Sequence, residues 1–198
     1  ALSVLVIGAT YAHFTYIKVS SVSPKVDVGA ATLNFITFEI GDPIFINPTI
    51  ENFKQGMKNL SSDTFASAYL RVENGEEETS INYNVFLQIN ENSLTYSTTN
   101  KTPELIMKVF DPYGNELDTI EGLKYVTVKD GQGNEISGFD ITTAMGKYYI
   151  ANNRNLKTKK EISEIWKAEV TYVNLGESQD GNLEKKLDGF IRIEKVTE

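Results

Sequence analysis

The chain of 198 residues contains no cysteine and a single histidine, His13. Structural disulfides, thiolate nucleophiles and zinc sites built on sulfur are therefore excluded. Neither a Cys-His pair nor a two-histidine zinc helix can be assembled, and no Ser-His-Asp set is evident. The glycine spacings that bind nucleotides are also missing. We therefore expect a protein that is not an enzyme and that needs no cofactor.

Basic residues are few, with 19 Lys and Arg against 27 Asp and Glu, which gives a formal net charge of −8. Because no basic patch or stripe is visible, the sequence predicts no nucleic-acid partner. Trp166 is the single tryptophan, and the strand pattern around it points its side chain inward. An aromatic carbohydrate cleft is therefore not indicated, and a β-sandwich hydrolase is the weakest alternative.

Two polar loops resemble parts of a calcium-binding loop. Neither has the full 12-residue pattern that ends in a bidentate glutamate. Turn-forming residues account for both loops, so we expect no metal site. The loops contain Asp130, Gln132, Asn134 and Glu135 in one case, and Asp180, Asn182 and Glu184 in the other.

Short strand-like segments separated by turn clusters dominate residues 24–198. Tyr, Phe, Val, Ile and Thr are plentiful, which favours strands over helices. Eight to ten such segments predict one all-β domain, a sandwich of the jelly-roll or immunoglobulin-like kind. The segments include 105–110, 123–128, 139–141, 148–150, 166–172 and 187–193.

Two local patterns predict more specific elements. Residues 66–72 and 81–89 alternate strictly and flank Asn74-Gly75, which predicts a β-hairpin. Thr158 precedes Glu161 by three residues, a capping-box spacing that predicts one short helix within 157–164.

The first 17 residues are the most unusual part of the chain. Residues 1–9 (ALSVLVIGA) are almost entirely apolar, and Thr10 and His13 interrupt the run before it reaches the length of a membrane span. Their β-branched and aromatic side chains suit a strand that is apolar on both faces and therefore must be covered on both. We expect this strand to enter the sheet of another subunit through Leu2, Val4, Leu5, Val6, Ile7, Tyr11, Phe14 and Ile17.

Other interpretations of this segment stay open. It is also compatible with the remnant of a signal peptide or membrane anchor, or with the first strand of the chain's own sheet. We divide the chain into a donor strand and linker over 1–23 and a β-sandwich domain over 24–198. Two sequons, at Asn59 and Asn100, are candidate acceptors of glycans.

Several stretches resemble the TasA and camelysin family of secreted biofilm-fibre proteins. They are Gly8-Ala9-Thr10-Tyr11-Ala12-His13-Phe14 with Ile17-Lys18; 29–35 (GAATLNF); the hairpin-like 70–75 (LRVENG); and 166–175 (WKAEVTYVNL) with 179–182 (QDGN) and 189–193 (GFIRI). The resemblance implies a jelly-roll domain, secretion and fibres in which one subunit's N-terminal segment completes the next subunit's sheet. The metalloprotease activity ascribed to camelysins is not carried over, since histidine ligands are lacking. An apolar stretch retained before the aromatic junction would place the chain closer to archaeal bundling-pilus and thread-like relatives.

The sequence thus predicts a structural subunit of an extracellular, cell-surface filament such as a pilus or biofilm fibre. Its partners would be identical subunits, with additional contacts to cell surface or matrix. We expect the acceptor groove beside residues 66–72 or 166–172. The alternative is a membrane-tethered monomeric β-sandwich surface protein or adhesin.

Overall fold

The computed structural model describes residues 34–53, 59–72 and 77–196. These residues form ten β-strands and two short 3-10 turns, at Ile50–Phe53 and Asp180–Asn182, and contain no α-helix. The predicted donor strand and linker over 1–23 lie outside them. The strands are β1 (Asn34–Ile40), β2 (Ile44–Ile46), β3 (Leu60–Val72), β4 (Thr79–Asn92), β5 (Leu105–Phe110), β6 (Lys124–Lys129), β7 (Glu135–Asp140), β8 (Gly146–Thr158), β9 (Glu161–Tyr172) and β10 (Leu187–Lys195).

The strands form two antiparallel sheets that pack face to face, which confirms the prediction of an all-β sandwich. The larger sheet has the order β1-β3-β9-β5-β7-β6, and the smaller has the order β2-β10-β4-β8. The alternation seen in the sequence selects the inward side chains, because successive residues of a strand point to opposite faces. The core contains Ala68, Leu70, Trp166, Ala168 and Val170 from the larger sheet and Tyr83, Val85, Leu87 and Ile191 from the smaller.

The predicted hairpin between residues 66–72 and 81–89 is wrong. β3 pairs with β1 and β9 in one sheet, whereas β4 pairs with β10 and β8 in the other. The predicted inward faces of the two strands are confirmed, since their side chains are buried. Such alternation specifies a face and leaves the partner undetermined, and the two strands face each other across the core instead of lying side by side.

The predicted helix within 157–164 is also wrong. β8 continues to Thr158 and β9 begins at Glu161, so these residues form the turn of a connection between the two sheets. The Thr158 hydroxyl accepts a hydrogen bond from the Lys160 N–H at 3.1 Å and donates one to the Glu161 carbonyl at 3.3 Å. The hydroxyl therefore organises a turn, while the two-residue period from 162 onward continues as strand.

One stretch of chain changes sheet between β1 and β2. The Gly41 N–H donates the last hydrogen bond to β3, at 2.7 Å from the Phe65 carbonyl. Pro43 has no N–H with which to extend that ladder. A Cβ at Gly41 would lie 2.6 Å from a ring carbon of Phe65, so only glycine fits at the crossing. After the crossing, β2 lies at the edge of the smaller sheet beside β10.

Candidate functional site: a groove beside strand β10

Within the described residues, the smaller sheet has no strand along part of its edge. β10 pairs with β4 from Leu187 to Lys195, but it pairs with β2 only from Leu187 to Gly189. On that side, the described residues provide no partner for the six residues 190–195. At about 3.3 Å per residue the open edge is about 20 Å long. We call this space, between the open edge of β10 and the inner face of β1, the β10 groove.

The backbone of β10 points hydrogen-bonding groups into the groove. The Val196 N–H donates to the Asn82 carbonyl at 2.9 Å, which identifies these two residues as a hydrogen-bonded pair. Hydrogen-bonded and non-hydrogen-bonded pairs alternate along an antiparallel ladder. The register between β10 and β4 is regular from Gly189 onward, so the peptide groups of Ile191, Ile193 and Lys195 face away from β4. They offer the ladder that an added strand would use.

The far wall of the groove is apolar and partly exposed. Ile36 and Phe38 point inward from β1 and pack against the core, yet both remain partly exposed. Their partners on β3, Leu70 and Ala68, are fully buried. β1 is the last described strand of its sheet, so Ile36 and Phe38 stay partly exposed although Phe38 packs against Tyr83 of the smaller sheet. An apolar wall beside an open ladder is the arrangement that a further strand would complete.

β1 is itself an edge strand of the larger sheet. Because Gly41 forms a hydrogen-bonded pair with Phe65, the same alternation points the peptide groups of Ile36, Phe38 and Ile40 away from β3. Ile40, the last residue of β1, is 41% exposed. As far as the described strands extend, both sheets thus end in unpaired edges at one side of the sandwich.

A charged network lies behind the groove. The Phe38 ring packs against Tyr83, with the two centroids 6.3 Å apart. The Tyr83 hydroxyl donates to Glu164 and accepts from the Trp166 indole N–H at 3.1 Å. Arg154 reaches across from β8 and donates to both oxygens of Glu164, from Nη2 at 2.6 Å and from Nε at 3.1 Å. This bidentate ion pair joins β8 of the smaller sheet to β9 of the larger.

The electrostatics of this network follow from its burial. The Glu164 side chain is only 8% exposed, and its bidentate contact with Arg154 satisfies its oxygens. Burial, with a contribution from the hydrogen bond to Glu164, raises the pKa of Tyr83 well above its ordinary value. The hydrogen bond to Glu164 likewise raises the pKa of Arg154. At neutral pH the Tyr83 phenol therefore stays neutral and the Arg154 guanidinium stays charged.

The acceptor position expected from the sequence is wrong. Residues 66–72 belong to β3, which lies between β1 and β9, and residues 166–172 belong to β9, which lies between β3 and β5. Both segments are interior strands with partners on both sides. The open edge near the groove belongs to β10, whose inward side chains gave no indication of a missing neighbour.

The eight side chains predicted to form the donor strand lie outside the described residues, so the structure does not place them against the groove. They are Leu2, Val4, Leu5, Val6, Ile7, Tyr11, Phe14 and Ile17. The two sequons are described. Asn59 precedes β3 and is partly buried, and Asn100 is exposed on a turn.

The loops considered for calcium are organised by their own hydrogen bonds. One Asp130 oxygen accepts the N–H groups of Gln132 and Asn134, both at 2.9 Å, and the other accepts the Asn134 amide at 3.0 Å. Asp111 and Asn115 repeat this turn in the connection after β5. Asn182 is buried and bonds to Thr95. Within 34–53, 59–72 and 77–196, no group of three or more His, Asp or Glu side chains is arranged to hold a metal ion.

Comparison with family models, with curated proteins and with solved structures finds no match to this chain. The groove is therefore interpreted from its own geometry. No helix in the described part of the chain has the length and apolarity of a membrane span.

Proposed function

We propose that this protein is the structural subunit of an extracellular filament in which the N-terminal segment of one subunit enters the β10 groove of the next as an added strand. The observation that carries the proposal is the edge at residues 190–195, which has no partner strand in the described part of the chain and lies near the apolar, partly exposed side chains Ile36 and Phe38. An open ladder supplies backbone hydrogen bonds, and the adjoining pockets for alternate side chains fix the register.

The N-terminal segment suits this groove in length and composition. Its apolar run covers residues 1–9, and the open edge spans the six residues 190–195. An inserted strand would turn one face toward Ile36 and Phe38 and the other toward the outer side of β10, where Phe190 is only half-buried. The inward face of such a strand would meet the apolar wall, whereas its outer face would lie beside Phe190 and the exposed side chains of Arg192 and Glu194.

The expected stability of such a joint is high. Burying six or more apolar side chains at about 25 cal/mol per Å² contributes on the order of 10 kcal/mol before ordering costs. The peptide groups of Ile191, Ile193 and Lys195 add hydrogen bonds. Because the acceptor and the donor belong to the same chain, the association is head to tail and continues as an open polymer.

The jelly-roll form of the sandwich belongs to the same proposal. β3 pairs with β9, β4 with β8 and β5 with β7, so the chain forms nested pairs around the central segment that contains β6. Strands β3-β9-β5-β7 are neighbours in one sheet, and β4 and β8 are neighbours in the other. This nesting supports a ribbon folded over on itself, which is how a jelly roll is wound.

The resemblance to TasA and camelysin fibre proteins, the extracellular location and the contacts with cell surface or matrix are further parts of the proposal. The resemblance rests on the sequence stretches alone. A non-enzymatic role and the lack of a nucleic-acid partner are predicted from composition and stay predictions.

A charge placed on the groove wall is expected to stop assembly. In Ile36→Asp, an incoming apolar strand would have to bury an unpaired carboxylate, which is strongly unfavourable. Negative-stain imaging and size-exclusion chromatography of the purified protein should show filaments for the unmodified chain and monomers for this variant. Thermal unfolding checks that the variant is folded, which is expected because Ile36 is already partly exposed.

Thr37→Asp is the matched control. Thr37 is the next residue on β1 and points to the opposite, outer face of the larger sheet. It should therefore leave filaments intact. Loss of filaments in both variants, or in neither, would contradict insertion at the β10 groove, and monomers of the unmodified chain would favour the tethered surface protein instead.

A further inference from the structure

The two sequons differ in how the fold holds their asparagine. The Asn59 side chain is tied on both sides: its oxygen accepts the Asn174 N–H at 2.8 Å, and its amide nitrogen donates to Asp130 at 3.4 Å. The rest of this sequon, Leu60 and Ser61, lies in β3 and pairs with β9. An enzyme could reach the Asn59 amide only after the beginning of β3 had separated from its neighbour.

The Asn100 sequon lies on a projecting turn between β4 and β5. The Lys101 N–H donates to the Thr98 carbonyl at 3.1 Å, and Lys101 has a φ of 52°, so the chain reverses sharply at this point. Asn100 is exposed, and none of the hydrogen bonds of the described residues involves its side chain. The Thr102 N–H is also held within the turn, by the Thr98 hydroxyl at 3.2 Å. The segment 99–102 is not part of any strand.

We propose that Asn100 is a site of N-glycosylation on the folded protein and that Asn59 is not. In the transfer, the Asn100 amide nitrogen attacks the anomeric carbon of a polyprenyl-diphosphate-linked oligosaccharide. A bond forms between nitrogen and carbon, the bond from that carbon to the diphosphate oxygen breaks, and the polyprenyl diphosphate leaves. The nitrogen releases one proton to a base of the transferase. No oxidation or reduction takes place.

A glycan at Asn100 is compatible with an open groove. The loop that carries Asn100 follows Asn92, which pairs with Leu187 at the start of β10. The groove begins at Phe190 and extends the other way, toward the Tyr83 end of β4. The inference is therefore independent of the filament proposal, and the failure of one leaves the other standing.

The test uses the folded full-length protein with a purified oligosaccharyltransferase that accepts Asn-x-Ser/Thr and a polyprenyl-diphosphate oligosaccharide. Mass spectrometry of proteolytic fragments gives the occupancy of each site. Occupancy at Asn100 should exceed that at Asn59 by about tenfold or more, the ratio that corresponds to about 1.4 kcal/mol of strand opening. Thr102→Ala should abolish modification at Asn100, and Ser61→Ala should leave the total unchanged.

Synthetic peptides of the two sequons provide the reference for the folded chain. The preference should shrink in the peptides, because there Asn59 is released from Asn174 and Asp130. Equal occupancy of the two sites in the folded protein, modification of Asn59 in preference, or no modification of either would overturn the proposal.

Discussion

Deleting residues 1–16 is expected to leave a folded monomer that no longer assembles. The described residues already form a continuous hydrophobic core, with β3, β4, β9 and β10 at its centre. Removing the proposed donor therefore leaves the sandwich intact and the β10 groove unfilled. Circular dichroism should retain a β spectrum with a cooperative thermal transition, while light scattering after size-exclusion chromatography should report a monomer.

Adding back a synthetic peptide of residues 1–17 sharpens the experiment. A ligand that binds only the folded state stabilises it, by about 2.7 kcal/mol at a concentration of 100 times Kd. The peptide should therefore raise the Tm of the truncated protein, and a scrambled peptide of the same composition should not. If the deletion instead unfolds the domain, the segment is a strand of its own sheet and the filament mechanism is wrong.

The second large predicted effect is on stability and concerns the ion pair between Arg154 and Glu164. Arg154→Ala is expected to lower the free energy of unfolding by about 3–5 kcal/mol, because Glu164 stays buried without its charged partner. For a chain of this size, the loss corresponds to a fall in Tm on the order of 10 °C. Thermal and urea unfolding at neutral pH measure both quantities, preferably in the assembly-deficient truncated protein, where the transition belongs to a single domain.

Lys157→Ala provides the control on the same strand. Lys157 lies 3.5 Å from Glu78, and the two side chains are 61% and 49% exposed. Exposed pairs of this kind contribute about 0–1 kcal/mol. A loss of less than about 1 kcal/mol for Arg154→Ala would show that the Glu164 site is well solvated and would remove the network's structural role.

The strands of this fold were predictable because each buries one face. The predicted segment at 105–110 coincides with β5, and the inward residues of β9 and β10 are the ones that alternation selects. Pairing was not predictable in the same way. The chain between β3 and β4 carries a turn signal at Asn74-Gly75, yet the two strands belong to different sheets. Periodicity reports burial, and the partner depends on contacts distant in sequence.

Sequence patterns could not predict the groove, for a related reason. The groove is defined by the position of a strand that the described residues do not provide. The side chains that line it, Ile36 and Phe38, have the pattern of ordinary core residues of β1. The one local signal is Gly41-Asp42-Pro43, which interrupts an otherwise continuous apolar stretch. A proline that ends one ladder and a glycine that permits a close crossing indicate a change of sheet at this point.

The ion pair between Arg154 and Glu164 illustrates a third limit of prediction from sequence. Glu164 occupies an inward position two residues before Trp166, so the pattern marks it as a buried carboxylate. Its partner Arg154 lies on the adjacent strand in the chain but in the opposite sheet. Only the packing of the two sheets brings the charges together, and the sequence alone gives no means of pairing them.

The chain has no cysteine, which permits a direct measurement of the proposed joint. One variant carries Arg192→Cys, an exposed position on the outer face of β10, and a second set carries single cysteines at Val4, Leu5, Val6 or Ile7. Arg192 would form a non-hydrogen-bonded pair with an added antiparallel strand, in which opposed Cα atoms lie about 4.5 Å apart, within the range of a disulfide.

Each donor variant is mixed with the Arg192→Cys protein under oxidising conditions. Covalent dimers should form either with the cysteines at Val4 and Val6 or with those at Leu5 and Ile7, but not with both sets, because alternate residues of a strand share a face. Absence of dimers from the mixtures, with an internal disulfide when both cysteines are placed in one chain, would show that the segment fills its own groove and would contradict the filament account.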